Sequence, residues 1–169
     1  MKEGLPKVEA KFGGDASITF DGLKEQEKPE LVCEELAKGD GPVVEKGDTI
    51  TVHYSGVVWG KTDPFDSSFL RKDPASFPIG EGMLIRAWDE TLIGKTVGSR
   101  LLIVAPADYA YGKRGVPQAG IKGGDTLVFV VDILADRKYL VISPPSVAES
   151  EKTFSNHLAD MVSTPVKFF

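Results

Sequence analysis

Gly47-Asp48-Thr49-Ile50-Thr51-Val52-His53-Tyr54-Ser55-Gly56 carries the clearest short period in the chain. From Thr49 to Tyr54 the residues alternate. Ile50, Val52 and Tyr54 point one way, while Thr49, Thr51 and His53 point the other. A period of two marks a strand with one face on a core. A half-buried strand of this kind belongs to an antiparallel sheet. The preceding Glu45-Lys46-Gly47-Asp48 reads as the turn that leads into it.

Towards the N-terminus, Leu31 to Leu36 reads as a strand, closed by the turn cluster Lys38-Gly39-Asp40-Gly41-Pro42. Residues 1–29, rich in Gly, Lys, Glu and Pro, read as an extended arm with a short strand at Ser17-Ile18-Thr19-Phe20. Towards the C-terminus a loop runs from Gly56 through Asp73-Pro74. Ser76-Phe77-Pro78-Ile79 then reads as an edge strand, where proline is tolerated. Leu84 to Ile93 is the best helix of the central region. Ile85, Trp88 and Leu92 form its apolar stripe, and Gly94 can end it. Ser99 to Val104 is a strand stopped by Pro106, residues 107–124 form a glycine-rich loop, and the near-continuous apolar run Thr126 to Leu134 reads as a central strand.

These elements predict an α+β fold, a curved antiparallel β-sheet wrapped around one short helix. The expected division is an N-terminal extension (1–29), the sheet-and-helix domain (30–135) and a C-terminal tail (136–169). In the tail, Ser146-Val147-Ala148-Glu149 matches a capping box. Phe154, Leu158 and Met161 follow at helical spacing, which allows a second helix near 147–162.

The chain has 169 residues, 41% hydrophobic and 27% charged, as in an ordinary globular protein. Its formal net charge of −5 argues against broad phosphate binding, so nucleic acid is not an expected partner. The single cysteine, Cys33, excludes an intramolecular disulfide and reads as a half-buried strand residue. No apolar run is long enough to span a bilayer, and the Met1-Lys2-Glu3-Gly4 start has no hydrophobic signal stretch. The chain as written is expected to be cytoplasmic; a protein trimmed of a signal or an upstream domain, and so secreted or surface-anchored, would read the same.

With two histidines and one cysteine, a zinc site of the usual kinds is not expected. No glycine-rich stretch has dinucleotide or Walker spacing. Ser67 and Ser68 carry no signature of activation for hydrolysis. What remains is a set of aromatic segments suited to an apolar pocket with one or two polar handles: His53-Tyr54, Phe65-Asp66, Leu84-Ile85-Arg86-Ala87-Trp88 and Asp108-Tyr109-Ala110-Tyr111-Gly112. Taken singly, Trp88 and Phe129 read as core, Asp66 as a turn former, Tyr111 as a loop anchor and Arg71 as a solvated charge.

Taken in order, the segments from about Glu30 to Leu134 resemble an FKBP-type peptidyl-prolyl cis-trans isomerase. Gly47 to Gly56 is similar to that family's opening strand, and Phe65-Asp66-Ser67-Ser68 to its loop motif. Ile85-Arg86-Ala87-Trp88 is similar to its helix. Asp108-Tyr109-Ala110-Tyr111-Gly112 and Thr126-Leu127-Val128-Phe129 match its last loop and strand.

The resemblance implies isomerase (rotamase) activity in protein folding, with a chaperone-like role and no cofactor or metal. It implies proline-containing polypeptides as substrates, macrolides of the rapamycin class as inhibitors, and action as a monomer without a membrane partner. It implies a pocket floored by Trp88, with Phe65, Leu84, Ile121 and Phe129 among its walls and Arg71 near the aspartate. Tyr54, Asp66, Ile85 and Tyr111 take the catalytic positions, Ile85 through its backbone N–H and Tyr111 through its hydroxyl. The chain departs from the family at the rim. Ala75 stands where many members carry Phe, Val116 where some carry His, and Met83 replaces a residue that in some members contacts ligand through its carbonyl. The alternative is a binding module that keeps the fold with little turnover.

Overall fold

The computed structural model describes residues 4–138, so the helix expected near 147–162 lies outside the described residues. The strands are β1 (Val32–Ala37), β2 (Thr49–Val58), β3 (Asp66–Ser67), β4 (Ala75–Pro78), β5 (Arg100–Ala105) and β6 (Leu127–Arg137). All pair antiparallel, in the order β1-β5-β6-β2-β3, with β4 also alongside β2. The fold class is the expected one: one sheet and few, short helices. The helices are α1 (Ser68–Arg71) and α2 (Arg86–Thr91), with 3-10 turns at Ala107–Tyr109 and Pro117–Ala119.

Strand β2 buries Ile50, Val52 and Tyr54 and leaves Thr49, Thr51 and His53 half-buried, as its alternation requires. It runs four residues beyond Tyr54, because β6 pairs with it as far as Val58 and β3 joins at Ser55 and Gly56. Helix α2 is shorter than the Leu84–Ile93 stripe suggests. Asp89 turns its carboxylate back onto the Gly80 and Gly82 amides at 2.8 and 3.0 Å, which fixes an irregular entry as far as Ile85. Trp88 and Leu92 of the stripe are still fully buried.

Strand β6 is buried on both faces from Leu127 to Ile133. Leu127, Phe129, Val131 and Ile133 face α2 in the main core. Val128 and Val130 join a second cluster with Leu102, Val104 and Val57. The cover of that second face is the N-terminal segment, where Ile18 and Phe20 are buried and Leu5, Val8, Ala16 and Leu23 pack beside them. Lys7 pairs with Thr19, so the segment doubles back on itself as it crosses the sheet.

A buried ion pair fastens this strap. Arg100 and Asp132 stand opposite each other on β5 and β6, at 0% and 1% side-chain exposure. Arg100 Nε and Nη2 donate to the two Asp132 oxygens at 2.7 and 2.9 Å. Its remaining N–H groups donate to the carbonyls of Glu9, Gly14 and Asp15 at 2.8–3.0 Å. The Gly13 amide donates to Asp132 at 2.9 Å. The guanidinium therefore has an acceptor for each of its five protons, the condition under which a buried charge is tolerated. Removing one partner leaves the other charged and dry. Asp132→Ala is expected to cost about 3–5 kcal/mol of stability, read as a lower denaturation midpoint at unchanged slope.

Candidate functional site

The site is built around Trp88, which α2 presses into the concave face of the sheet. Its ring meets three others edge-on: Tyr54 at 5.3 Å and 82°, Phe77 at 5.6 Å and 83°, and Phe129 at 5.6 Å and 84°. Phe65 stands edge-on to Phe129 at 5.8 Å and 90°. Such T-shaped contacts suit the aromatic quadrupole. Trp88, Tyr54, Phe77 and Phe129 are buried, while Phe65, Asp66 and Tyr111 beside them are half-buried. Leu84, Ile85 and Ile121 are buried in the same core.

The polar handles lie on one flank. The Tyr54 hydroxyl donates to Asp66, and Arg71 pairs with the same carboxylate. Arg71 also donates to the Tyr54 oxygen at 3.3 Å, with its guanidinium carbon 5.8 Å from the Tyr54 ring centroid. Burial and the Asp66 hydrogen bond hold the Tyr54 phenol far above the usual tyrosine range. Burial also raises the Tyr111 phenol, and the nearby Asp66 carboxylate adds to the rise. Both phenols therefore stay neutral donors at any physiological pH. Burial works against the Arg71 charge, but its bonds to Tyr54 and Asp66 raise its pKa on balance.

Tyr54 is held by a residue that sequence reasoning passes over. Along its outer edge β2 pairs with β4 at Thr49 to Val52 and with β3 at Ser55 and Gly56. Tyr54 falls in the gap. There the Ser68 hydroxyl accepts from the Tyr54 amide at 2.6 Å and reaches the Tyr54 carbonyl at 3.3 Å, doing the work of the missing strand. The same oxygen lies 2.9 Å from His53 Nδ1, and the imidazole stacks on Phe69 at 4.9 Å. Burial lowers the His53 pKa, partly opposed by Asp132 and Asp73. Ser67 caps the one-turn α1 by accepting from the Leu70 amide. A four-residue helix is too short to show a period, so only the Asp-Ser-Ser run could have signalled it.

Gly56 is the second such residue. It lies opposite Phe129 on β6 and Asp66 on β3. A Cβ there would come within 2.6 Å of Phe65 Cζ and 2.8 Å of Phe129 Cε1, so only glycine lets the two rings close over the strand. The loop carrying Tyr111 is folded onto itself: the Gly112 and Gly115 amides donate to the Ala107 and Tyr111 carbonyls. Gly115 has a φ of 64°, and a Cβ would meet the Ile121 carbonyl oxygen at 2.5 Å. The Tyr111 hydroxyl is buried and has no partner among the described residues. The Ile85 amide precedes the first turn of α2, where helical N–H groups lack intrahelical acceptors.

Of the ten residues expected at the site, Tyr54, Phe65, Leu84, Ile85, Trp88, Tyr111, Ile121 and Phe129 lie in or against the main core, Asp66 is joined to it through Tyr54, and Arg71 through Asp66. Of the rim residues, Ala75 is buried in that core, Val116 bridges to Ile121, and Met83 is exposed. Cys33 is half-buried on β1, and burial raises its thiol pKa, which disfavours the reactive thiolate. Among the described residues no His, Cys, Asp and Glu gather as a metal site.

Two substitutions test this construction. Ser68→Ala removes this hydroxyl from the Tyr54 backbone and is expected to cost about 1–3 kcal/mol, measured by chemical denaturation. Gly56→Ala is expected to part Phe65 from Phe129 and lower the denaturation midpoint, while the sheet stays folded by far-ultraviolet circular dichroism.

Comparison with known proteins agrees with this geometry. Residues 41–134 match the family model described as FKBP-type peptidyl-prolyl cis-trans isomerase. The chain is 41% identical over 106 residues to an FK506-binding protein of Streptomyces anulatus, covering 63% of this chain and 86% of that one. It is 44% identical over 100 residues to the peptidyl-prolyl cis-trans isomerase Fkbp12 of Drosophila melanogaster, covering 59% and 91%. The crystal structure of FkpA from Escherichia coli superposes with a TM-score of 0.57 at 36% identity, covering 63% of this chain and 48% of that one.

Proposed function

Because this chain belongs to the FKBP-type peptidyl-prolyl cis-trans isomerases and is itself such an isomerase, we propose that it turns the Xaa-Pro bond by non-covalent binding in the Trp88 cleft. The bond rotates slowly because resonance stiffens it, with a barrier of about 18–20 kcal/mol. A dry aromatic cleft disfavours the charge-separated resonance form and so lowers the cost of twisting. No proton has to move and no covalent intermediate has to form. Uncatalysed exchange takes on the order of tens to hundreds of seconds. A roughly 10³-fold acceleration requires only about 4 kcal/mol.

One observation carries the assignment of roles: the buried Tyr111 hydroxyl lacks a partner among the described residues. A neutral donor held dry is complementary to an acceptor brought by a ligand. In this reading Tyr111 donates to one substrate carbonyl and the Ile85 amide to another. Trp88, Phe65, Tyr54 and Phe129 enclose the proline ring, with Leu84 and Ile121 completing the apolar wall. Asp66, fixed by Tyr54 and Arg71, supplies a field that favours the twisted amide. Substrates are proline-containing polypeptides in folding or regulated chains, and macrolides of the rapamycin class compete for the cleft. The protein acts as a monomer, each chain supplying its own cleft.

A refolding assay limited by proline isomerisation tests these roles. The wild-type protein is expected to accelerate the slow phase and rapamycin to suppress the acceleration. Tyr111→Phe is expected to lose about tenfold in kcat/KM, the weight of one hydrogen bond, and Asp66→Val at least as much. Unchanged rates with wild-type protein, alongside measurable peptide binding, would instead identify a binding module.

A further inference from the structure

The two donors assigned to the substrate sit on different elements. Ile85 is the residue just before α2, whereas Tyr111 lies in the loop that follows β5. That loop draws its hydrogen bonds largely from within itself, closing Gly112 onto Ala107, Gly124 onto Gly112 and Val116 onto Ile121. Its ends are fixed by β5 and β6 and its apolar side chains rest on the main core, so contacts with α2 add the direct link between the two donors.

Arg86 makes such contacts from the first residue of α2. Its guanidinium carbon lies 4.4 Å from the centroid of the Tyr109 ring, within cation–π range. Its Nη1 donates to the Asp108 carbonyl at 3.4 Å. One turn further along the helix, Glu90 holds the same guanidinium at 3.3 Å and so fixes the direction in which the arm extends. Arg86 is directly next to Ile85, and Tyr109 is two residues before Tyr111. The clasp thus joins the positions flanking both donors, although the Arg86 side chain is itself 60% exposed.

We propose that Arg86 is a positioning residue for isomerisation: its clasp on Asp108 and Tyr109 sets the separation of the Ile85 amide and the Tyr111 hydroxyl for the twisted substrate. This rests on the donor roles proposed above. Arg86 touches neither the proline ring nor the rotating bond. Its effect is on the alignment of two groups that bind the transition state more tightly than the planar amide, so it acts on kcat. Its charge is engaged by Glu90 and the Tyr109 ring, so the effect does not depend on the charge of the residue preceding proline.

The test compares Arg86→Leu, Tyr109→Leu, the double variant, Arg86→Lys and Tyr111→Phe, on substrates with Glu, Leu or Lys before proline. Arg86→Leu and Tyr109→Leu are each expected to lower kcat about three- to tenfold with KM little changed, equally on all three substrates. The double variant is expected to lose no more than the worse single, because both remove one contact. Arg86→Lys, which keeps the cation but not the planar fork, is expected to recover part of the loss. Thermal midpoints near wild type would separate the effect from general destabilisation. Additive losses, a loss confined to KM, or one that varies with the charge before proline would overturn the proposal. Full activity in Arg86→Leu with impairment in Tyr111→Phe would overturn it while leaving the donor roles intact. Full activity in Tyr111→Phe would remove the donor roles themselves.

Discussion

Strand β6 is apolar on both faces, and the rest of the domain follows from the need to cover each. A sheet with one dry face can leave the other to water, and β2 keeps Thr51 and His53 only half-buried in that way. Strand β6 has no such option, since Val128 and Val130 would be as costly in water as Phe129 and Val131. On the concave side α2 lays Trp88 and Leu92 against Phe129 and Val131. On the convex side the strap from Leu5 to Leu23 lays Ile18 and Phe20 against Val128 and Val130. The Arg100–Asp132 pair reaches through this second layer and ties three strap carbonyls to the middle of the sheet.

The aromatic cluster is a consequence of the first cover. A six-residue helix is too short to fill the concavity of a six-stranded sheet with aliphatic side chains alone. One indole does most of the filling, and the rings around it meet it edge-on. The polar groups stay at the margin, where Tyr54, Asp66 and Arg71 satisfy one another. The half-buried margin is then aromatic with few polar groups, which fits rotation about an amide. Fastening of the margin is spread over Ser68, Gly56 and Arg86, none of which shows in a hydrophobic pattern.

Much of this was legible in the residues. The alternation of Ile50, Val52 and Tyr54 gave the buried face of β2, and the run from Thr126 to Leu134 gave a central strand. The ordered aromatic segments pointed to the aromatic cluster, through resemblance rather than spacing. Legibility ended where elements became short or contacts distant. Helix α1 has four residues, too few for a 3.6-residue period to register. Helix α2 lost its expected start to Asp89, whose bonds run backwards to Gly80 and Gly82 rather than along the helix. The arm before Glu30 showed little beyond a short strand at Ser17 to Phe20, because its partners stand far along the chain; Gly13 and Asp132 are separated by 119 positions.

The sequence by itself therefore determined the sheet, the helix under it and the aromatic set. Each is written in local periods or in short motifs, and burial of apolar side chains enforces them whatever else the chain does. Tertiary structure alone decided that Arg100 and Asp132 are core residues, that the arm is a strap, and that a serine hydroxyl completes the edge of β2. These are polar choices. A charge or a hydroxyl is at home in water, and it belongs inside only where partners from distant parts of the chain converge on each of its donors and acceptors.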